Sequence, residues 1–189
     1  MLHKIRKKVS NIDDILRIPL KKSFIHRIPW LLIGLFGGII AAKIVKSFQE
    51  VLSENLILVA YIPLIVYMSD AVGTQMEAFV IRDFVLHPRL NFLKYFLKHF
   101  LVVLLIGIIL SASLFTITIF SNNQLRISLV ISISLLIAII SSMITGLVLP
   151  LVFKQSKTDP ANASGPIATV IQDILSVTIY LMVAHLLLG

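Results

Sequence analysis

Asp173 lies near the middle of the last apolar stretch of the chain, residues 167–188, a run of about 22 residues that is long enough to cross the hydrocarbon core of a bilayer. A carboxylate at that depth costs roughly 2.5 kcal/mol or more, so it marks an ion or proton site that faces protein or water. Thr169 precedes it by one helical turn and Gly165 by two, which puts carboxylate, hydroxyl and a small residue on one stripe of an otherwise apolar helix. Gly165-Pro166 is expected to break or kink that helix, freeing backbone carbonyls that can ligate a cation or hold its water shell. The alternative reading of Asp173 is a buried tether to Lys43 or to a backbone group.

A second set of polar residues interrupts an earlier apolar run. Residues 56–68 are apolar, include Pro63, and continue without a helix stop into Ser69-Asp70-Ala71-Val72-Gly73-Thr74-Gln75-Met76-Glu77. At about 100° per residue, Asp70, Thr74 and Glu77 share one face. A spanning helix that turns polar halfway lines a water-filled path or is covered by other protein; otherwise this half protrudes into the cytoplasm with solvated charges. Asp173, Asp70 and Glu77 are the expected metal-contacting groups, and Gly73, Thr74, Gly165 and Thr169 the expected lining of the path.

The donor types narrow the ion. The chain has no Cys, which removes disulfides, thiol chemistry and Cys-ligated zinc or iron. His3, His26, His87, His99 and His185 are scattered near the ends of apolar runs with no paired ligand spacing. Oxygen-only groups suit a hard, hydrated cation that keeps its waters, Mg²⁺ above all, although they do not separate it from Mn²⁺, Co²⁺ or Ca²⁺.

The elements that hold these residues are membrane spans. Hydrophobic residues make up 58% of the 189 and charged residues 14%, with mean hydropathy +0.98, a balance no soluble domain of this size carries without a grossly exposed apolar surface. The net charge of +8 does not imply nucleic acid, because the basic residues crowd the ends of apolar runs as topology signals and headgroup contacts. Residues 1–27 carry Lys4, Arg6, Lys7, Lys8, Arg17, Lys21, Lys22 and Arg27 among Ile12, Ile15, Leu16 and Ile18, the pattern of an interfacial amphipathic helix on the cytoplasmic face. Residues 28–189 then divide into spans at about 29–48, 52–78, 96–120, 127–152 and 164–188. The first offers Gly34, Gly37, Gly38, Ala41 and Ala42 as a close-packing face, and the third and fourth are plain, with scattered Ser, Thr and Gly as helix contacts. Arg82, Arg89, Lys94, Lys98, Lys154 and Lys157 flank one side, against Arg126 and the Glu50/Glu54 pair on the other. This bias places the N-terminus inside and the C-terminus outside the cell membrane. An odd number of spans requires that a symmetric pair be parallel, about a two-fold axis along the membrane normal. The fold class expected is therefore all-α and integral to the membrane, a five-span chain forming a parallel homodimer with a pore at or near the axis.

Two motifs resemble one family. Leu149-Pro150-Leu151, then Asp159-Pro160-Ala161, Ala163-Ser164-Gly165-Pro166, Thr169, Asp173 and Tyr180 look like the MgtE family of magnesium transporters and channels, whose DPAxASGPxxTxxxD pattern leads into the pore helix. Ile62-Pro63-Leu64, Val72-Gly73-Thr74-Gln75 and Arg82 resemble its second-span signature, and Arg27-Ile28-Pro29-Trp30 its entry to the first span. The resemblance implies a dimerising five-span pore domain whose second and fifth spans line a path for Mg²⁺, with Asp173 the pore carboxylate facing its symmetry mate. Family members often carry a cytoplasmic N-terminal domain and paired CBS domains that close the pore. Only about 28 residues precede the first span, so such gating is expected to be absent or supplied by a separate regulatory subunit.

Ser69-Asp70-Ala71 stands where the family usually has Gly-Gly-Asn. The amide is lost and a carboxylate appears one residue earlier, a change that can shift ion preference or mark pairing with a non-identical partner. The function expected is Mg²⁺ transport, with a non-conducting partner subunit or a carrier of Mn²⁺ or Co²⁺ as the alternatives. An intramembrane aspartyl protease built on Asp70 and Asp173 lacks its GxGD-type context, so no enzyme is expected.

Overall fold

The computed structural model describes residues 18–87, 91–122, 124–155 and 160–189. The described residues are helical throughout: α1 (Leu20–Ser47), α2 (Gln49–Glu54), α3 (Ile57–Leu86), α4 (Phe92–Asn122), α5 (Leu125–Met143), a π-helical turn (Ile144–Val148), α6 (Leu149–Gln155) and α7 (Pro160–Leu188). Five stretches are long and apolar enough to cross a membrane: Leu20–Ser47, Ile57–Phe84, Phe92–Ser121, Leu125–Val152 and Gly165–Leu188. The protein is an all-α, multi-pass membrane protein.

Two elements differ from the sequence expectation. The first helix begins at Leu20 and contains Pro29, so Lys21, Lys22 and Arg27 decorate its opening turns. The helix has 28 residues and rises about 42 Å, more than the roughly 30 Å of hydrocarbon, which leaves those turns to the headgroups. Ile12, Ile15 and Leu16 of the expected amphipathic segment lie outside the described residues. The second difference is that α7 is not broken at Gly165-Pro166. Helix runs from Pro160 through Pro166 to Leu188; Pro166 stands early in it and removes one intrahelical bond, to the carbonyl four residues back, while the remaining bonds carry the helix on. The irregularity lies in the preceding span, where the expected plain helix passes through the π turn at Ile144–Val148.

α5 is the central helix. α3 and α7 pack against it and against each other, α4 lies on its other side, and α1 lies along α7. Leu58, Ile65, Val80, Val130, Ile131, Leu135, Ile139 and Leu181 fill the space between them. In lipid this association depends on close shape fit, because tails are as apolar as Leu. The small-residue face of α1 supplies such a fit at Gly37, where an added Cβ would fall on the Val170 side chain of α7, whereas Gly38 has open space around it. The outward positions of α1 and α4, among them Leu31, Phe36, Leu101, Leu105 and Ile109, are exposed and apolar, as a lipid-facing surface must be.

Polar side chains within the spans bond mostly to their own helices, for example Ser113 Oγ to the Ile109 carbonyl (2.8 Å) and Thr118 Oγ1 to the Leu114 carbonyl (2.8 Å), since no water is there to take them. Ties between elements hold the two ends of α3. The Tyr180 hydroxyl donates to the Leu58 carbonyl at 2.8 Å and joins the end of α7 to the start of α3. At the other end of α3, Arg82 pairs with Asp83 at 3.1 Å, and the Tyr95 hydroxyl of α4 donates to the same carboxylate at 3.2 Å.

Candidate ion pathway

α3 and α7 run antiparallel, and their middles bring the two intramembrane aspartates together. Asp70 and Asp173 are each half-buried. Thr169 is a polar neighbour of the Asp70 carboxylate, and Asp70 is the charged neighbour that acts on Asp173. Sequence spacing put Thr169 and Asp173 on one stripe; the packing of α3 against α7 adds Asp70 to it.

The other expected residues are dispersed around this pair. Thr74 and Gly165 are exposed, and an added Cβ at Gly165 would meet nothing within 4 Å, so both border open space. Glu77, two turns beyond Asp70, is buried at 8% exposure. Gly73 is buried on the opposite flank of α3, where its added Cβ would stand 3.2 Å from Thr145 Oγ1 and 3.3 Å from Ser142 Cβ of the fourth span. Lys43 is exposed, and among the described residues the one ion pair is Arg82–Asp83, so Asp173 is not tethered to Lys43 there. Among the described residues no three His, Asp or Glu converge; one chain presents two facing carboxylates, a donor set that suits a cation retaining much of its water.

A group that the sequence reading passed over stands directly behind Asp173. Gln172 is fully buried and reaches across to α5 and the π turn. Its Oε1 lies 2.9 Å from the Thr145 hydroxyl, and its Nε2 donates to the Ala138 carbonyl and to Ser141 Oγ, both at 3.3 Å. The only signal for it in the sequence is an amide inside an apolar run, next to the carboxylate that drew attention.

Comparison with known proteins shows the family. Residues 62–183 match the MgtE family, described as divalent cation transporter. The chain is 30% identical over 161 residues to the magnesium transporter MgtE of Bacillus subtilis, covering 84% of this chain and 36% of that protein. It is 28% identical over 178 residues to the magnesium transporter MgtE of Enterococcus faecalis, covering 93% and 39%, and 28% identical over 167 residues to that of Thermus thermophilus, covering 87% and 37%. The chain thus spans little more than a third of the length of these relatives. The matched region runs from the Pro63 turn of α3 to the last turns of α7 and contains Asp70, Thr169 and Asp173, and on that match the chain belongs to the MgtE family of divalent cation transporters, not to an enzyme family.

Proposed function

We propose that the chain carries Mg²⁺ across the cell membrane as a parallel homodimer, along a path lined by α3 and α7. The observation that carries this reading is the half-open group of Asp70, Thr169 and Asp173, two carboxylates and a hydroxyl from helices far apart in sequence, at mid-span in an apolar protein. Lipid does not accept such a group, so its open side faces water or a second copy. A two-fold axis along the membrane normal beside that open side doubles the oxygen set and closes the path. Carboxylates gathered this way repel one another when the path is empty, and a hydrated divalent cation relieves the repulsion more fully than a monovalent one. Thr74, exposed one turn beyond Asp70, continues the polar lining toward the cytoplasmic mouth, and the buried Glu77 adds its charge behind it. The naming of the three relatives as magnesium transporters supports Mg²⁺ as the substrate over Mn²⁺ or Co²⁺. In liposomes the purified protein is expected to pass Mg²⁺ down its gradient and to cross-link as a dimer. A silent wild type would overturn the reading in favour of a non-conducting partner.

Orientation follows from the basic-residue bias and is testable because the chain has no native Cys. Asn122→Cys is expected to react with an impermeant thiol reagent from outside the cell, and Lys157→Cys only from the cytoplasm. The reverse pattern would reject the proposed orientation.

Asp70 and Glu77 lie two turns apart along α3 and together raise the local cation concentration at the inner half of the path. The double variant Asp70→Asn/Glu77→Gln is expected to weaken half-saturation by Mg²⁺ more than either single change. If flux and Mg²⁺ protection against proteolysis are unchanged in the double variant, these carboxylates lie off the path.

A further inference from the structure

Gln172 sits one residue before Asp173, on the flank of α7 turned to α5, and is fully buried. A primary amide in such a place is costly unless its atoms are paired. Here both ends are, at two heights on the same neighbouring span: Nε2 at Ala138 and Ser141, and Oε1 at Thr145. A side chain hooked at two levels resists both sliding and rotation of α7, and rotation of α7 is what moves Asp173. The far side of the same region bears on α3. The π turn buries Thr145 and Gly146, and an added Cβ on Gly146 would stand 2.7 Å from the Gly73 carbonyl, so the backbones of α3 and the turn are in direct contact. Gly73 follows Asp70 by three residues. A continuous packed path therefore links the two aspartates through protein: Asp173, Gln172, Thr145 and Gly146, Gly73, Asp70.

We infer that Gln172 and the Thr145 hydroxyl form a positioning pair that sets the spacing between Asp70 and Asp173 and, through it, which divalent cation the path prefers. The inference rests on the reading of Asp173 as a pathway carboxylate. Mg²⁺ holds its inner oxygens, water included, at about 2.0–2.1 Å in strict octahedral geometry, whereas Ca²⁺ holds them at about 2.3–2.6 Å with tolerant geometry, so the hydrated ions that the carboxylates grip differ in size by a few tenths of an ångström. A shift of a few tenths of an ångström in the carboxylate frame is thus enough to change their relative affinity. π turns recur at functional positions in helices because the extra residue redirects side chains without ending the helix; this one aims Thr145 at Gln172 and leaves Gly146 against α3.

The test uses the full chain in proteoliposomes and reads the ratio of half-saturating Mg²⁺ to half-saturating Ca²⁺ as competitor in the same vesicles, a quantity independent of how much protein is folded. Thr145→Val keeps shape and removes the hydroxyl; Gln172→Met keeps length and removes the amide. Each is expected to move the ratio about two- to tenfold, the range accessible to one buried hydrogen bond of ordinary net strength, while Thr145→Ser, which keeps the hydroxyl, holds it near the wild-type value. Asp173→Asn is measured alongside. A ratio that moves in Asp173→Asn and stays fixed in both Thr145→Val and Gln172→Met overturns the positioning role alone. A ratio and flux unmoved by Asp173→Asn overturn the pathway reading and this inference with it. If Gln172→Met fails to assemble, the Val and Ser variants at position 145 decide.

Discussion

Asp173→Asn is expected to abolish selective Mg²⁺ flux while the dimer still assembles. Asn matches Asp in shape and keeps one acceptor oxygen, so the packing of α7 on α1 and α5, including Gly37 against Val170 and Gln172 against Thr145, has no reason to change. What disappears is the charge. Removing one carboxylate per chain leaves Asp70 and Thr169 in the open group, and the repulsion that a divalent cation relieves falls sharply, since like charges repel more strongly in a partly buried setting than in water. Mg²⁺ flux should drop by at least about tenfold, which corresponds to a barrier raised by about 1.4 kcal/mol or more, and the remaining conductance should no longer distinguish divalent from monovalent ions. The measurement is Mg²⁺ uptake into liposomes with cross-linking as the control for assembly. Wild-type flux in a confirmed dimer of the Asn variant would remove Asp173 from the path.

Gly146→Ala is expected to destabilise the protein more than the same change at any other glycine facing α3 or lipid. The Cβ would stand 2.7 Å from the Gly73 carbonyl and 3.0 Å from Met76 Cβ. Both are atoms anchored to the backbone of α3, so the helices must separate, at a cost of about 1–3 kcal/mol. Gly73→Ala meets Thr145 Oγ1 and Ser142 Cβ at 3.2 and 3.3 Å, contacts that can yield by a few tenths of an ångström, and its effect should be smaller. Gly38→Ala meets nothing within 4 Å and should be close to neutral. The order of thermal midpoints in detergent, with Gly38→Ala highest and Gly146→Ala lowest, checks the geometry of the π turn. Equal midpoints for Gly146→Ala and Gly38→Ala would mean that α3 and the turn do not approach as described. Because the same separation moves Asp70 away from Asp173, Gly146→Ala should also reduce flux in whatever protein remains folded.

The intramembrane aspartates and the spans that hold them are local properties of the chain. A bilayer leaves backbone groups no partner but one another, so a long apolar run must be helical, and a period of 3.6 residues then assigns Thr169 and Asp173 to one stripe without reference to anything else. The family resemblance, carried by the residues around Pro63 and Gly165-Pro166, was legible for the same reason. What the helices do to one another was not. Association in lipid follows shape complementarity and a few polar contacts, and neither has a period in the sequence. Tertiary structure alone brought Asp70 to Thr169 and Asp173, turned Gly73 away from that open group and onto Ser142 and Thr145, and buried Glu77. It also carried α7 unbroken through Pro166, because one lost hydrogen bond early in a long helix does not end it, and moved the irregularity to Ile144–Val148, where Gly146 lets α3 come close and Thr145 meets Gln172.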